Sequence, residues 1–132
     1  MITKSLPTTK HAQFVNITSL VEEALYESGV TSGIATIFVS HTTAGITINE
    51  NADPDVTRDM LNILDRMVPW EHPDYRHYEG NTAAHMKASM MGNSTQIIIE
   101  DGALQLGTWQ GIYFCEFDGP RQRKIQINFA GN

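Results

Sequence analysis

Between residues 33 and 41 the chain reads Gly-Ile-Ala-Thr-Ile-Phe-Val-Ser-His, with β-branched and aromatic side chains at both alternating positions. That pattern predicts a strand covered on both faces. His41 ends it on the face of Ile37 and Val39, so the imidazole is expected to emerge from an apolar wall. Thr42-Thr43-Ala44-Gly45 reads as a small-residue turn, and extended structure resumes over 46–49. Upstream, 13–17 reads as a short strand leading into a helix, with Ser19 and Glu22 spaced as a capping box. Leu20, Val21, Ala24 and Leu25 form its apolar stripe, and Gly29 closes it after Glu27 or Ser28.

Asp53-Pro54 predicts a second helix start, with Asp as the cap and Pro at the first helical position, where its missing N–H costs nothing. Val56, Met60, Ile63, Leu64 and Met67 recur at helical spacing up to Pro69, and the methionines read as core filler. Residues 69–80 hold two prolines and no sustained period, which predicts an irregular loop carrying aromatic and ionisable groups. A third helix is expected from Asn81, as a cap, to Gly92. The remainder alternates as strands over 95–100, 104–107, 112–117 and 124–129, with turns at Asp101-Gly102 and Asp118-Gly119-Pro120. In the last of these, Ile125, Ile127 and Phe129 oppose Lys124, Gln126 and Asn128, the alternation of an antiparallel strand wet on one face. The expectation is a single α+β domain over 1–132, with two mainly antiparallel sheets packed as a β-sandwich and about three helices.

Composition narrows the function classes. With 132 residues and 41% hydrophobic content the chain can bury one core and has no room for a second domain. A formal charge of -6 with only nine Lys and Arg argues against a nucleic-acid footprint, which needs a basic face, so an anionic partner must be small and locally held. No apolar run approaches the roughly 20 residues that span a bilayer, and no membrane partner is expected. The single Cys115 cannot form an intramolecular disulfide, and the amino terminus lacks the apolar segment of a signal peptide, so a cytoplasmic location is expected. Cys115, inside an apolar strand, reads as a buried and inert thiol.

Candidate chemistry centres on His41, His77 and His85, since neutral imidazole ligates transition metals and moves protons near neutral pH. Their spacing is not that of two imidazoles on one helix face with an intervening Glu. Three histidines would still supply the three ligands of a catalytic zinc, with Glu79 or Glu116 as base. The helix start after Asn81 also suits an anion such as phosphate. Arg121, Arg123 and Lys124 concentrate cations after the turn at 118–120, and Arg is suited to bidentate phosphate binding. Gly107-Thr108-Trp109-Gln110-Gly111 places an aromatic and an amide between glycines, as a bent core strand or a ligand contact would. His11 and His72 are expected to be solvated. Ser40 and His41 are poor as a catalytic pair, because strand neighbours point to opposite faces.

Taken together, Ser40-His41-Thr42-Thr43-Ala44-Gly45, Ile48-Asn49-Glu50-Asn51, His77-x-Glu79-Gly80-Asn81 with Ala84-His85, and Gly107-Thr108-Trp109-Gln110-Gly111 resemble the YjbQ family over nearly the whole chain. The resemblance implies a two-sheet α+β subunit in a homotrimer, with a clustered-histidine metal or phosphate site near subunit boundaries. It makes His41, His77 and His85 metal ligands and Glu79, Asn81, Trp109 and Gln110 pocket residues; three imidazoles favour zinc over Mg²⁺, and Thr43 is a further substrate-binding candidate. The activity it implies is secondary thiamine-phosphate synthesis, joining a pyrimidine pyrophosphate to a thiazole phosphate with loss of pyrophosphate. For that reaction Lys87, Arg121 and Arg123 would hold phosphates, Trp109 would stack on a ring, and Glu50 or Glu116 would hold Mg²⁺. Two other classes stay open: a metal-dependent hydrolase of a small phosphorylated or ester substrate, with Glu79 or Glu116 as base, and a trimeric non-enzymatic binder of an anionic metabolite.

Overall fold

The alternating segment near the carboxyl terminus becomes the second strand of the larger sheet. In the computed structural model, which describes residues 1–132, it spans Gln122–Gly131 (β8) and pairs antiparallel with Ile2–Pro7 (β1) on one side and Gly33–Phe38 (β3) on the other. Ser94–Glu100 (β5) and Ala103–Leu104 (β6) complete the order β1-β8-β3-β5-β6. A second sheet places Gln110–Glu116 (β7) between Gln13–Asn16 (β2) and Ala44–Glu50 (β4), again antiparallel. The helices are Thr18–Ser28 (α1), Pro54–Met67 (α2) and Thr82–Met91 (α3), so the fold is α+β with two antiparallel sheets. No helix is long and apolar enough to cross a membrane.

The two sheets meet over one core. Ile37 of β3, Ile97 and Ile99 of β5, and Ile125 and Ile127 of β8 pack with Ile46 of β4, Ile112 and Phe114 of β7, and Val21, Ala24 and Leu25 of α1. Each of the isoleucine, leucine, valine and phenylalanine side chains, fully buried, contributes about 1.5–3 kcal/mol before chain entropy is counted. Tyr113 and Cys115 point to the other face of β7, where Leu64 of α2 and Ala84 and Ala88 of α3 cover them with Phe117. Two-sided burial therefore belongs to β7 and not to β3 as the pattern suggested. On β3 the outward Ile34 and Phe38 are exposed, and so is Ile98 of β5 beside Ile34 in the register.

Other local expectations shift for identifiable reasons. The strand β1 went unpredicted because Lys4 occupies an inward register position between Ile2 and Leu6, breaking the apolar alternation. Its ammonium reaches out instead to Glu23 and Glu27 of α1, at 3.2 Å each. Ser19 caps nothing: α1 begins at Thr18, whose Oγ1 accepts the Ile112 N–H at 2.9 Å and so ties the helix start to β7. Gly29 does end α1 with φ 70°. Asp53 caps α2 by accepting the Asp55 N–H at 2.9 Å, with Pro54 at the first position. The strand expected over 104–107 shrinks to the two residues of β6.

One close approach positions the site. A Cβ at Gly45 would lie 2.7 Å from the Gly92 carbonyl oxygen and 3.0 Å from Met91 Cβ, so only glycine lets the end of α3 lie on β4. The Ile46 N–H donates to that same carbonyl at 3.0 Å. Docked this way, α3 holds His85 beside the β3–β4 connection.

Candidate functional site

His41 lies beyond the end of β3. The register of β3 on β8 stops at Phe38 opposite Gln126, so the next backbone partner of Lys124 would be residue 40, where the chain has left the ladder. The imidazole takes that place: His41 Nε2 accepts the Lys124 N–H at 3.0 Å. This contact uses the Nε2 lone pair, so the neutral ring carries its proton on Nδ1 and is a hydrogen-bond donor there. Burial, and next the nearby Arg123 guanidinium, hold the His41 pKa below its ordinary value of 6.5. Between that lowered value and 6.5 the unfolded chain binds the proton and the folded chain does not, so this group costs stability as pH falls through the window. An imidazole titration followed by NMR is expected to give His41 a midpoint below 6.5 with the Nδ1–H tautomer above it; an Nε2–H tautomer would contradict the Lys124 contact.

Around His41 the fold gathers a pocket of about 440 Å³ lined by ten residues, none of them hydrophobic. The β3–β4 connection supplies Ser40, His41, Thr42 and Thr43; the loop before α3 supplies His77 and Glu79; α3 and its first flanking residue supply His85 and Asn81; and the start of β8 supplies Arg121 and Arg123. The His77 and His85 rings meet edge to face with centroids 5.5 Å apart, and Glu79 Oε1 lies 4.0 Å from His77 Nε2. A second hollow of about 590 Å³ continues from it, walled by Ala44, Ala88, Ser89, Gly92 and Asn93. His41, Thr42 and His85 line both, so two imidazoles stand at the seam between a cation-bearing half and a neutral half.

The cations are held by buried acceptors. Arg123 is 3% exposed and forms a bidentate ion pair with Glu116, which is fully buried; its Nη2 also donates to Thr43 Oγ1 at 2.9 Å. Burial alone would push the Glu116 carboxyl up. The bonds from Arg123, the Asp118 N–H at 3.0 Å and the Thr8 hydroxyl at 2.7 Å outweigh it and keep the pKa below its ordinary value. Arg121 donates to the carbonyl and the carboxylate of Asp118, at 2.7 and 2.9 Å, and Asn81 Nδ2 donates to the same carboxylate at 2.9 Å.

Eight of the residues singled out in the sequence thus converge: Thr43, His41, His77, Glu79, Asn81, His85, Arg121 and Arg123. Four do not. Glu116 has its carboxylate committed to Arg123, Thr8 and the main chain, so it positions Arg123 and is not placed to act as a base. Lys87 turns away toward Asp65, 3.6 Å distant. Trp109 is 63% exposed outside the pocket, and Gln110 spends its side-chain oxygen on the Gly107 N–H at 2.8 Å. Glu50 pairs with Gln110 in the ladder and lies outside the pocket too. Asn81 is the N-cap residue of α3, as expected, but its side chain makes no capping hydrogen bond and turns to Asp118 instead. His72 and His11 are both exposed, as expected, and His11 also packs edge-on against Trp70 at 4.4 Å. Cys115 is buried, and burial pushes its thiol pKa up, as an inert thiol requires.

As the side chains stand, the three histidines do not form a metal centre. No three His, Cys, Asp or Glu side chains are gathered closely enough to hold an ion, and a metal on His41 Nδ1 would leave both ring nitrogens without a proton while Lys124 still donates to Nε2. His77 and His85 are the imidazoles free to ligate, with Glu79 beside them. Sequence reasoning missed Asp118, which accepts from Arg121 and Asn81, and Thr8, whose hydroxyl accepts the Arg121 N–H and donates to Glu116, the partner of Arg123. Asp118 was visible only as a turn residue ahead of Gly-Pro, and Thr8 belongs to a segment with no readable pattern.

Comparison with known proteins gives a consistent neighbourhood. The family model described as UPF0047 protein YjbQ-like matches residues 3–132. UPF0047 protein YugU of Bacillus subtilis is 60% identical, with 98% of each chain covered. UPF0047 protein MJ1081 of Methanocaldococcus jannaschii is 50% identical over 96% of this chain and 91% of its own. Among solved structures, an uncharacterized conserved protein of the same family from Clostridium acetobutylicum superposes with a TM-score of 0.96 at 61% identity, covering 98% of this chain and 100% of the other. A conserved hypothetical protein from Thermus thermophilus gives 0.92 at 40% identity, with 98% and 100% covered.

Proposed function

The chain belongs to the UPF0047 YjbQ-like family, and we propose that its histidine pocket binds a small phosphorylated metabolite and moves protons on it. The observation that carries this reading is the lining: two guanidinium groups, three imidazoles and no hydrophobic side chain enclose one pocket in a protein of net charge -6. A phosphate there meets donors from Arg121, Arg123 and the Nδ1–H of His41, and needs no basic surface. The neutral half beyond the seam takes the remainder of the molecule. His85, at that seam, is the group to give or take a proton where the two parts join, and His77 stands beside it with Glu79 at 4.0 Å.

Within this class the specific reaction is the synthase step implied by the family resemblance. The carbon–oxygen bond of the pyrimidine pyrophosphate breaks, the thiazole nitrogen takes the carbon, and pyrophosphate leaves into the cation-bearing half. The uncovered apolar Ile34, Phe38 and Ile98 support self-association, for which the family resemblance implies a homotrimer, and the single unpaired cysteine supports a cytoplasmic setting. ³¹P NMR of both substrates with Mg²⁺ present tests the reaction. Pyrophosphate and thiamine phosphate should rise together; substrate signals that neither shift nor turn over would sink the whole reading, and a saturable shift without product would leave a binding protein.

The metal-dependent hydrolase is the second reading that an observation favours, because three imidazoles and Glu79 share one pocket. It requires His41 to swing away from the Lys124 N–H so that a ring nitrogen becomes available. Metal content of protein purified without a histidine tag decides between them. About one zinc-type ion per chain, lost in both His77→Ala and His85→Ala, would move the assignment to the hydrolase.

A further inference from the structure

We propose that the chain carries a second ligand site, at Lys87, for a small carboxylate with a flat apolar body. Lys87 follows His85 by two residues on α3, a rotation of about 200° around the helix, so the two side chains face opposite ways. The lysine side chain is 7% exposed, and its ammonium makes no hydrogen bond within the chain. Its one charged neighbour is Asp65 at 3.6 Å, too long for a hydrogen bond, and the Asp65 side chain is itself 73% exposed. An ammonium has three donors, and with Asp65 beyond hydrogen-bond distance those that face the pocket are open to solvent or to an acceptor from outside.

The place for that acceptor is a pocket of about 430 Å³ next to Lys87, walled by Leu64, Trp70 and Phe117 and edged by His11. It shares no lining residue with the histidine pocket or its neutral extension. Its volume and mainly apolar walls are those of a small-molecule site, with one buried cation to fix orientation. The chemistry of the walls specifies the guest: an anionic head for the Lys87 donors and a flat apolar body beside Trp70, over a floor of the buried Leu64 and Phe117. Asp65 at the pocket and Asp118, 3.8 Å from His11, make the surroundings too acidic for a dianion, so a monocarboxylate fits better than a phosphate ester. Asp65 then competes with the guest for the ammonium and turns out to solvent when the guest enters.

Phenylacetate is a suitable probe, read by Trp70 fluorescence in a Trp109→Phe background so that one indole reports. Saturable quenching is expected, unmoved by inorganic phosphate, and 2-phenylethanol, which has the same body without the charge, should not saturate. Lys87→Met, which keeps the apolar stem, should weaken phenylacetate at least about tenfold, the scale of one lost charge-assisted bond. Asp65→Asn should tighten it several-fold by removing the competitor, and because Asp65 is exposed this variant reports even where Lys87→Met folds badly. Equal titration of wild type and Asp65→Asn, equal binding of the neutral analogue, or no saturation at all would each overturn the site without touching the histidine pocket.

Discussion

Replacing His85 by Asn is expected to lower turnover by ~10²–10⁴-fold, the range over which a positioned acid or base acts, equivalent to about 2.7–5.5 kcal/mol of barrier. The side chain makes no hydrogen bond within the chain, and its contact is an edge-on approach to His77 at 5.5 Å. Asn therefore leaves no buried partner unsatisfied, and a stability change within about 0.5 kcal/mol is expected, as at an ordinary surface position. His41→Asn makes a contrast. It also removes an imidazole from the seam, but it leaves the Lys124 N–H without its acceptor at 3.0 Å, so about 0.5–1.5 kcal/mol of stability, the net worth of one such hydrogen bond, should go with the activity. Rate and thermal midpoint measured together separate the two: a loss in His85→Asn confined to the rate, with one limb of the pH profile gone, is the signature of proton transfer. Turnover within a few-fold of wild type would remove His85 from the chemistry.

The fold was legible where one periodicity acted alone. In β8 the residues alternate, and every inward isoleucine is buried; at α2 the Asp53-Pro54 pair gave the helix start. Legibility failed where a side chain serves an element remote in sequence. Lys4 takes an inward position in β1 because its stem can pass an apolar edge to reach Glu23 and Glu27, and an alternation rule reads that lysine as a break. Thr18 begins α1 because Ile112 of β7 needs an acceptor, which no local capping pattern encodes. The apolar run of β3 was read as two-sided burial, yet within one chain its second face is uncovered.

The candidate site follows the same logic. Residues carried on the three segments that flank His41 in space were legible by chemical type, and eight of them meet in one pocket. Lys87 was misplaced because nearness to His85 in sequence is not nearness on a helix. Trp109 and Gln110 were misplaced for the converse reason. They stand at one end of the seven-residue β7 and Glu116 at the other, so about 20 Å of extended chain separates them from the residues that hold Arg123. The histidines converge, but the tautomer of His41 depends on a main-chain N–H on β8 that no side-chain motif can reveal.

Arg123→Met should be the most destabilising single change in the molecule, by about 3–5 kcal/mol at neutral pH, because it leaves the Glu116 carboxylate buried without its cation. In a chain of this size that corresponds to a fall of about 10–20 °C in thermal midpoint. The pH dependence gives the sign. In wild type the Glu116 pKa lies below its ordinary 4.5, so the stability it contributes is fully present above 4.5 and is lost as pH falls through the lowered folded value. Without Arg123, burial is the leading influence on Glu116 and works to raise its pKa, so the buried carboxyl takes up a proton sooner and the cost of the substitution shrinks as pH falls. Glu116→Gln combined with Arg123→Met removes both charges and should recover much of the loss, since the pair together is worth far less than either half left alone. Melts of wild type, the single variant and the double variant at pH 7 and pH 4 carry the test. A single variant within a few degrees of wild type at pH 7 would mean that Glu116 finds its compensation in Thr8 and the Asp118 N–H, and that the bidentate pair serves to aim Arg123 into the pocket instead of holding the fold.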